Sequence, residues 1–235
     1  MNILITGTTK GIGKAIAESA LELGLNVFAT GRNKELLKHY TNYCACDLAT
    51  TSGMEILGQY IKANKIDILI NNAGEYLYTP ILKGFELESL EHITKLNFEA
   101  PLYLTSQAVP YMKEKMFGRI INIGSISGVM GEANASLYSA TKAGLIGATK
   151  ALALELAEFG ITVNTINPGW VDTDLGNSSC EDSEFSKEEI IECIPQRRFV
   201  KPSEIAGLVK YLISDEAKGV TGQSINLCAG LSVGY

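Results

Sequence analysis

Histidine, tryptophan and proline are scarce in this chain of 235 residues: two, one and six respectively. His39 and His92 have no ligand-like spacing, so a histidine-built metal centre is not expected. Cysteine is hardly richer, at five residues that are odd in number and scattered: Cys44, Cys46, Cys180, Cys193 and Cys228. Reduced thiols are the natural reading. Cys44 and Cys46 share one face of an extended segment, but no second Cys or His pair completes a metal site, and core packing is expected. No apolar run reaches the ~18 residues that span a bilayer. A formal charge of −6 argues mildly against nucleic acid or an anionic membrane as partners. The first apolar segment, Asn2 to Thr6, begins almost at Met1. No signal peptide and a cytoplasmic protein are therefore expected.

What is present is glycine, at 23 residues, and a hydrophobic fraction of 46% that can fill a substantial core. Strands are expected at Asn2 to Thr6, Val27 to Thr30, Tyr43 to Cys46, Ile66 to Ile70, Arg119 to Ile123, Thr162 to Ile166 and Ser224 to Leu227. Between them lie helical patterns: Ile12 to Leu23, Leu87 to Lys115, Ser139 to Phe159 and Pro202 to Ile213. Near-continuous Ile/Leu/Val strands separated by helices predict an α/β protein with a doubly wound parallel sheet of about seven strands, covered by helices on both faces. No repeat or Pro/Ser-rich linker interrupts the pattern. One domain over residues 1–235 is expected.

Tyr138-Ser-Ala-Thr-Lys142 places a phenol and an ammonium at i and i+4, on one face of a helix. A neighbouring cation favours the phenolate and is expected to lower the Tyr138 pKa from its usual ~10. Ser125, from another segment, can hydrogen-bond a carbonyl oxygen as charge develops on it. Alone, such a pair is more readily a surface contact, because such pairs are common and weak.

The second signal follows the first strand: Thr6-Gly7-Thr-Thr-Lys10-Gly11-Ile-Gly13. Glycines here let backbone N–H groups approach a pyrophosphate at a helix N-terminus. The spacing lacks the Gly-Lys-[Ser/Thr] of a phosphate-cleaving loop. A fold of this kind that binds NAD carries an acid at the end of the second strand. Here the stretch reads Ala29-Thr-Gly-Arg32-Asn-Lys34 with no carboxylate before Glu35. Arg32 and Lys10 can instead pair a 2′-phosphate, which favours NADP(H) over NAD(H).

With these motifs in order, the chain resembles the short-chain dehydrogenase/reductase family from Met1 to Tyr235. The resemblance implies a Rossmann-type sheet, with a dinucleotide-binding part over about 1–125 and a substrate lid over about 175–200. It implies cofactor contacts from Gly7, Thr9, Lys10, Gly11, Ile12, Gly13 and Arg32, from Asp47 and Leu48 beside the adenine, and from Asn72, Ala73 and Gly74. Pro168, Gly169, Val171 and Thr173 would lie against the nicotinamide. The catalytic tetrad carries over as Asn97, Ser125, Tyr138 and Lys142. Tyr138 would donate or accept the proton, and Lys142 would lower its pKa and hold the ribose. Ser125 would position the substrate oxygen, and Asn97 would hold a water in a helix kink. No metal is implied. A homotetramer or homodimer is implied, and Ala140, Ala143, Gly144, Gly147, Ala148 and Ala151 permit close helix approach.

Within the family the chain is most similar to 3-oxoacyl-acyl-carrier-protein reductases, as in Gly118 to Ser125 and Tyr138 to Asn164. An acyl-carrier-protein thioester is thereby implied as a substrate. Two features depart from that pattern. Met116 and Phe159 stand where those reductases carry arginines that meet the acidic carrier. The lid adds Glu181, Asp182, Glu184, Glu188, Glu189 and Glu192 against Lys187. That run is equally read as the solvated face of a lid helix. Glu75 reads as a loop acid or a pocket group, Trp170 as a pocket wall or core residue, and Cys180 as a thiol of the expected lid, open to exposure but with nothing nearby that marks it as reactive. A sugar, polyol or secondary-metabolite ketoreductase is the alternative enzyme. A dinucleotide-sensing binding protein is the alternative outside enzymes.

Overall fold

In a computed structural model, which describes residues 1–182 and 185–233, seven parallel strands form one sheet in the order β3-β2-β1-β4-β5-β6-β7. They are β1 (Asn2–Ile5), β2 (Asn26–Gly31), β3 (Asn42–Ala45), β4 (Ile68–Asn71), β5 (Gly118–Ile123), β6 (Ile161–Pro168) and β7 (Ser224–Leu227). The helices are α1 (Gly11–Glu22), α2 (Lys34–Leu37), α3 (Thr51–Asn64), α4 (Leu87–Thr94), α5 (Ala100–Lys115), α6 (Ser127–Met130), α7 (Ser136–Leu156), α8 (Asp174–Asp182), α9 (Lys187–Cys193) and α10 (Pro202–Leu212). The doubly wound sheet is as the sequence predicts. Tyr235, the end of the expected domain, lies outside the described residues.

Side-chain alternation along the strands divides the core in two. Ile3, Ile5, Val27, Ile68, Ile70 and Ile121 point to the face covered by α1 and α10. Leu4, Phe28, Leu69, Ile120 and Val163 point to the other, against α3, α5 and α7. Register holds this division: Ile3 pairs with Val27 on one side and Ile68 on the other. A one-residue slip would turn every one of these side chains to the wrong layer.

Three differences from the sequence reading matter for the site. The expected helix from Leu87 to Lys115 is continuous but passes through a π-helical turn, Lys95–Glu99, which buries Asn97 completely. Such turns recur at functional positions. The helix expected to begin at Ser139 starts at Ser136, which puts Tyr138 inside its first turn. The helix α3, which periodicity did not single out, is capped by Thr50, whose hydroxyl accepts from the Gly53 N–H.

Candidate active site

Because β1 lies between β2 and β4, the chain reverses its winding there, and a crevice opens beyond the carboxyl ends of the strands. A cavity of about 600 Å³ occupies it. Six of the strands deliver lining residues: Gly7 and Thr9 to Ile12 after β1, Arg32 after β2, Asp47 and Leu48 after β3, Asn72 to Tyr76 after β4, Ser125 after β5, and Gly169 to Val171 with Thr173 after β6. Every expected cofactor-contact residue lines this cavity except Gly13, which lies just beneath it.

Gly13 supports the loop from below. A methyl group there would stand 2.2 Å from the Gly7 carbonyl oxygen and 2.5 Å from Asn72 Nδ2. Asn72 in turn donates to the Thr6 carbonyl at 2.8 Å, and Thr6 Oγ1 accepts the N–H groups of Asn72 and Ala73. The two turns that face the cavity from β1 and β4 are thus one hydrogen-bonded unit. Helix α1 opens on Lys10, whose side chain makes no cap, so its first N–H groups are left to an anion in the cavity.

At the other end, Lys142 is 4% exposed and donates from Nζ to the Ile123 carbonyl at 3.0 Å. Its Nζ stands 5.7 Å from the centre of the Tyr138 ring. Gly74 makes this approach possible: a methyl there would lie 3.3 Å from Lys142 Nζ and 3.1 Å from Asn97 Oδ1. Asn97 spends its amide on Glu75, accepting its N–H at 3.0 Å and donating to its carbonyl at 2.8 Å. All four expected tetrad residues converge here.

The electrostatics differ from the sequence reading in one respect. Burial pushes the Tyr138 phenol up to about 12, aided by the charge of Glu132, although its hydrogen bond with Ser125 acts the other way. Burial lowers the Lys142 ammonium to about 8. The expected depression of Tyr138 by Lys142 is therefore absent. By the pH at which the phenol would ionise, Lys142 has already lost its charge.

Sequence reasoning missed three residues. Ser127 Oγ donates to Glu132 Oε2 at 2.5 Å, Tyr76 OH donates to Glu132 Oε1 at 2.7 Å, and the Tyr76 ring meets Tyr138 edge-on at 5.1 Å. The only signal was a carboxylate in the short stretch between Ser125 and Tyr138. Arg32 faces the cavity but pairs with Glu75 at 3.0 Å, and His92 takes the other Glu75 oxygen at 2.9 Å. Glu75 is accordingly a pocket residue. Trp170 is both wall and core, lining the cavity and stacking on Phe199 at 5.8 Å.

Helices α8 and α9 make up the segment expected to be a lid, and its Leu175, Gly176 and Ser179 face the cavity. Cys180, whose exposure the sequence left open, is buried and donates to the Gly176 carbonyl at 3.2 Å. Glu188, Glu189 and Glu192 are exposed, and Glu189 completes a capping box with Ser186. These three acids are a solvated helix face. Glu184 lies outside the described residues.

A family model described as Enoyl-(Acyl carrier protein) reductase matches residues 7–232. The chain is 37% identical to the 3-oxoacyl-[acyl-carrier-protein] reductase FabG of Rickettsia felis, over 97% of this chain and 95% of that one. It is 33% identical to FabG of Escherichia coli, over 97% and 96%. Among solved structures, an actinorhodin polyketide ketoreductase variant with NADPH superposes with a TM-score of 0.92 at 35% identity, covering 99% of this chain and 97% of that one. YwfH, an NADPH-dependent reductase involved in bacilysin biosynthesis, gives 0.89 at 29%, covering 98% and 97%. Likeness of this extent in sequence and structure together leads to one conclusion: the chain belongs to the short-chain dehydrogenase/reductase family.

Proposed function

We propose that this protein is an NADP(H)-dependent oxidoreductase that interconverts a carbonyl and a secondary alcohol, most like a 3-oxoacyl-acyl-carrier-protein reductase. The observation that carries the reading is the single cavity in which Tyr138, Lys142 and Ser125 share space with the Gly7–Gly13 turn. The uncapped α1 N-terminus and the cations Lys10 and Arg32 fit a dinucleotide diphosphate with a 2′-phosphate. Asp47 and Leu48 would flank the adenine, and Pro168, Gly169, Val171 and Thr173 the nicotinamide. Bound NADPH would supply the hydride.

The protein's own part is orientation and proton management. Ser125 holds the carbonyl oxygen, and Tyr138 gives it a proton as the carbon is reduced, leaving an alcohol. Lys142, charged below about 8, steadies the resulting phenolate and holds the nicotinamide ribose. In this reading a water held at the π-helical turn of Asn97 would link Lys142 to solvent. Residues 1–235 act as one domain in this reading, with the dinucleotide part over about 1–125 and the lid over about 175–200. Two copies would meet along α7, where Ala140, Ala143, Gly147 and Ala151 are exposed. Gly144 is instead taken by Phe98 of its own chain, since a methyl there would lie 2.9 Å from that ring.

For the substrate, an acyl-carrier-protein thioester and a free ketone compete, and a specific observation favours the free ketone. Arg119 is 3% exposed, donating to the carbonyls of Gly118 and Gly160, and Lys115 is tied to Asp67. Neither is free to replace the arginines missing at Met116 and Phe159. NADPH oxidation with an acetoacetyl thioester, polyol-derived ketones and cyclic ketones tests the reading. Turnover of any of them is expected, and NADPH binding without turnover of any would point to a sensing protein.

Arg32→Ala provides the cofactor test. The guanidinium must leave Glu75, or share it, to meet a 2′-phosphate. Loss of one charge-assisted contact of this kind raises KM for NADPH by about tenfold to a hundredfold. Steady-state kinetics with both cofactors should show KM for NADH nearly unmoved. Equal losses with the two would remove the case for Arg32.

A further inference from the structure

Among the described residues, Glu132 is the one carboxylate at the substrate end of the cavity that touches the Ser125–Tyr138 centre, and no step of the reduction uses it. Two loops hold it there. Tyr76, after β4, reaches across to its Oε1, and Asn134 Nδ2 donates to Tyr78 OH at 2.8 Å, pinning the same two loops together. The other oxygen, Oε2, takes the Ser127 hydroxyl. Among the described residues no Lys, Arg or His lies within ion-pair distance of Glu132, so hydroxyls alone compensate its charge.

An ionised carboxylate only accepts, so Ser127 must donate to it, which leaves Ser127 Oγ an acceptor toward Ser125 Oγ, 3.1 Å away. The Ser127 N–H also reaches Ser125 Oγ at 3.1 Å. Ser125 thus gives its single proton to Ser127 or, once a carbonyl binds, to the substrate oxygen, while Ser127 stays turned toward the negative charge. Any substrate whose carbonyl reaches Ser125 and Tyr138 brings its neighbouring substituent close to that charge. A carboxylate there meets a like charge in a partly desolvated cavity. A neutral ester, thioester or alkyl group does not, and a hydroxyl or ammonium finds remaining acceptor capacity.

We propose that Glu132 is a specificity-determining residue: its hydroxyl-anchored carboxylate excludes substrates with an anionic group beside the carbonyl and admits those whose neighbouring group is neutral or a hydrogen-bond donor. The proposal rests on the reading of this cavity as a carbonyl reductase. Its substrates are thus neutral ketones or 3-oxo thioesters and esters, and not the free oxo acids.

The test compares NADPH-dependent reduction of 3-oxobutanoate with that of its ethyl ester, in the native protein and in Glu132→Gln. NADPH titration first establishes that the variant is folded and takes up cofactor. The expected result is that the ratio of kcat/KM for the acid to that for the ester rises by about tenfold or more in the variant, whatever the absolute rates. Tyr76→Phe removes an anchor but keeps the charge, so its ratio should stay near the native one. An unchanged ratio in Glu132→Gln overturns the assignment, as does an equal rise in Tyr76→Phe, which would mark a packing effect. No reduction of any neutral ketone or ester by the native protein overturns the reductase reading itself, and the proposal with it.

Discussion

Tyr138→Phe should lower NADPH-dependent ketone reduction by about a hundredfold to ten-thousandfold, the range expected when a positioned acid is removed. NADPH binding should be nearly unchanged, because only one hydroxyl is lost. The ring contact with Tyr76, at 5.1 Å between centroids, survives in phenylalanine. Burial, with the charge of Glu132 adding to it, holds the phenol proton up to about 12. At neutral pH the native site is therefore a loaded proton donor. Reduction uses that proton directly, whereas alcohol oxidation must first remove it. The oxidative rate should accordingly climb as pH rises, and the reductive rate should not. Single-turnover kinetics with NADPH and a ketone, beside fluorescence titration of the cofactor, separate chemistry from binding. Retained turnover in the phenylalanine variant would sink the assignment.

The layers of the fold were legible because β-strands buried on both faces leave Ile/Leu/Val-rich runs, as in Ile68–Asn71 and Gly118–Ile123. The glycine turns were legible for a different reason: Gly13 has no room for a methyl beneath Gly7, and sequence preserves that constraint as spacing. Neither signal reaches the contacts that loops make with one another. Glu132 meets Tyr76 only because the loops after β4 and before α7 fold together, and no periodicity encodes that meeting. Periodicity likewise did not mark the π turn at Asn97, since one extra residue in a helix leaves the apolar pattern on either side almost intact, and only the family resemblance placed a kink there. The sign of the Tyr138 shift was missed because spacing reports that a cation is near and not how dry it is. Drying lowers Lys142 itself, and a lysine that has lost its proton cannot support a phenolate.

The same desolvation makes Lys142→Met the second large effect, and in it activity and stability should move in opposite directions. Turnover falls because the phenolate loses its cation and the ribose its anchor, a loss comparable to that at Tyr138. Stability at neutral pH should rise. Lys142 is lowered from 10.5 to about 8 by burial, so the folded state binds fewer protons than the unfolded chain between those values. Stability of the native protein then increases with pH through that window, and below it the full cost of the buried charge is present, about 3 kcal/mol. Against this, methionine abandons the hydrogen bond to the Ile123 carbonyl, which costs about 1–2 kcal/mol. Relief of the buried charge outweighs the lost hydrogen bond, leaving a gain of about 1–2 kcal/mol, or about 3–6 °C in Tm for a chain of this size. Thermal melts of the cofactor-free protein should show that gain at pH 7 and lose it by about pH 10.5, where native Lys142 is already neutral. A variant that melts lower than the native protein at both pH values would mean that Lys142 is there for packing and not held charged at a cost for chemistry.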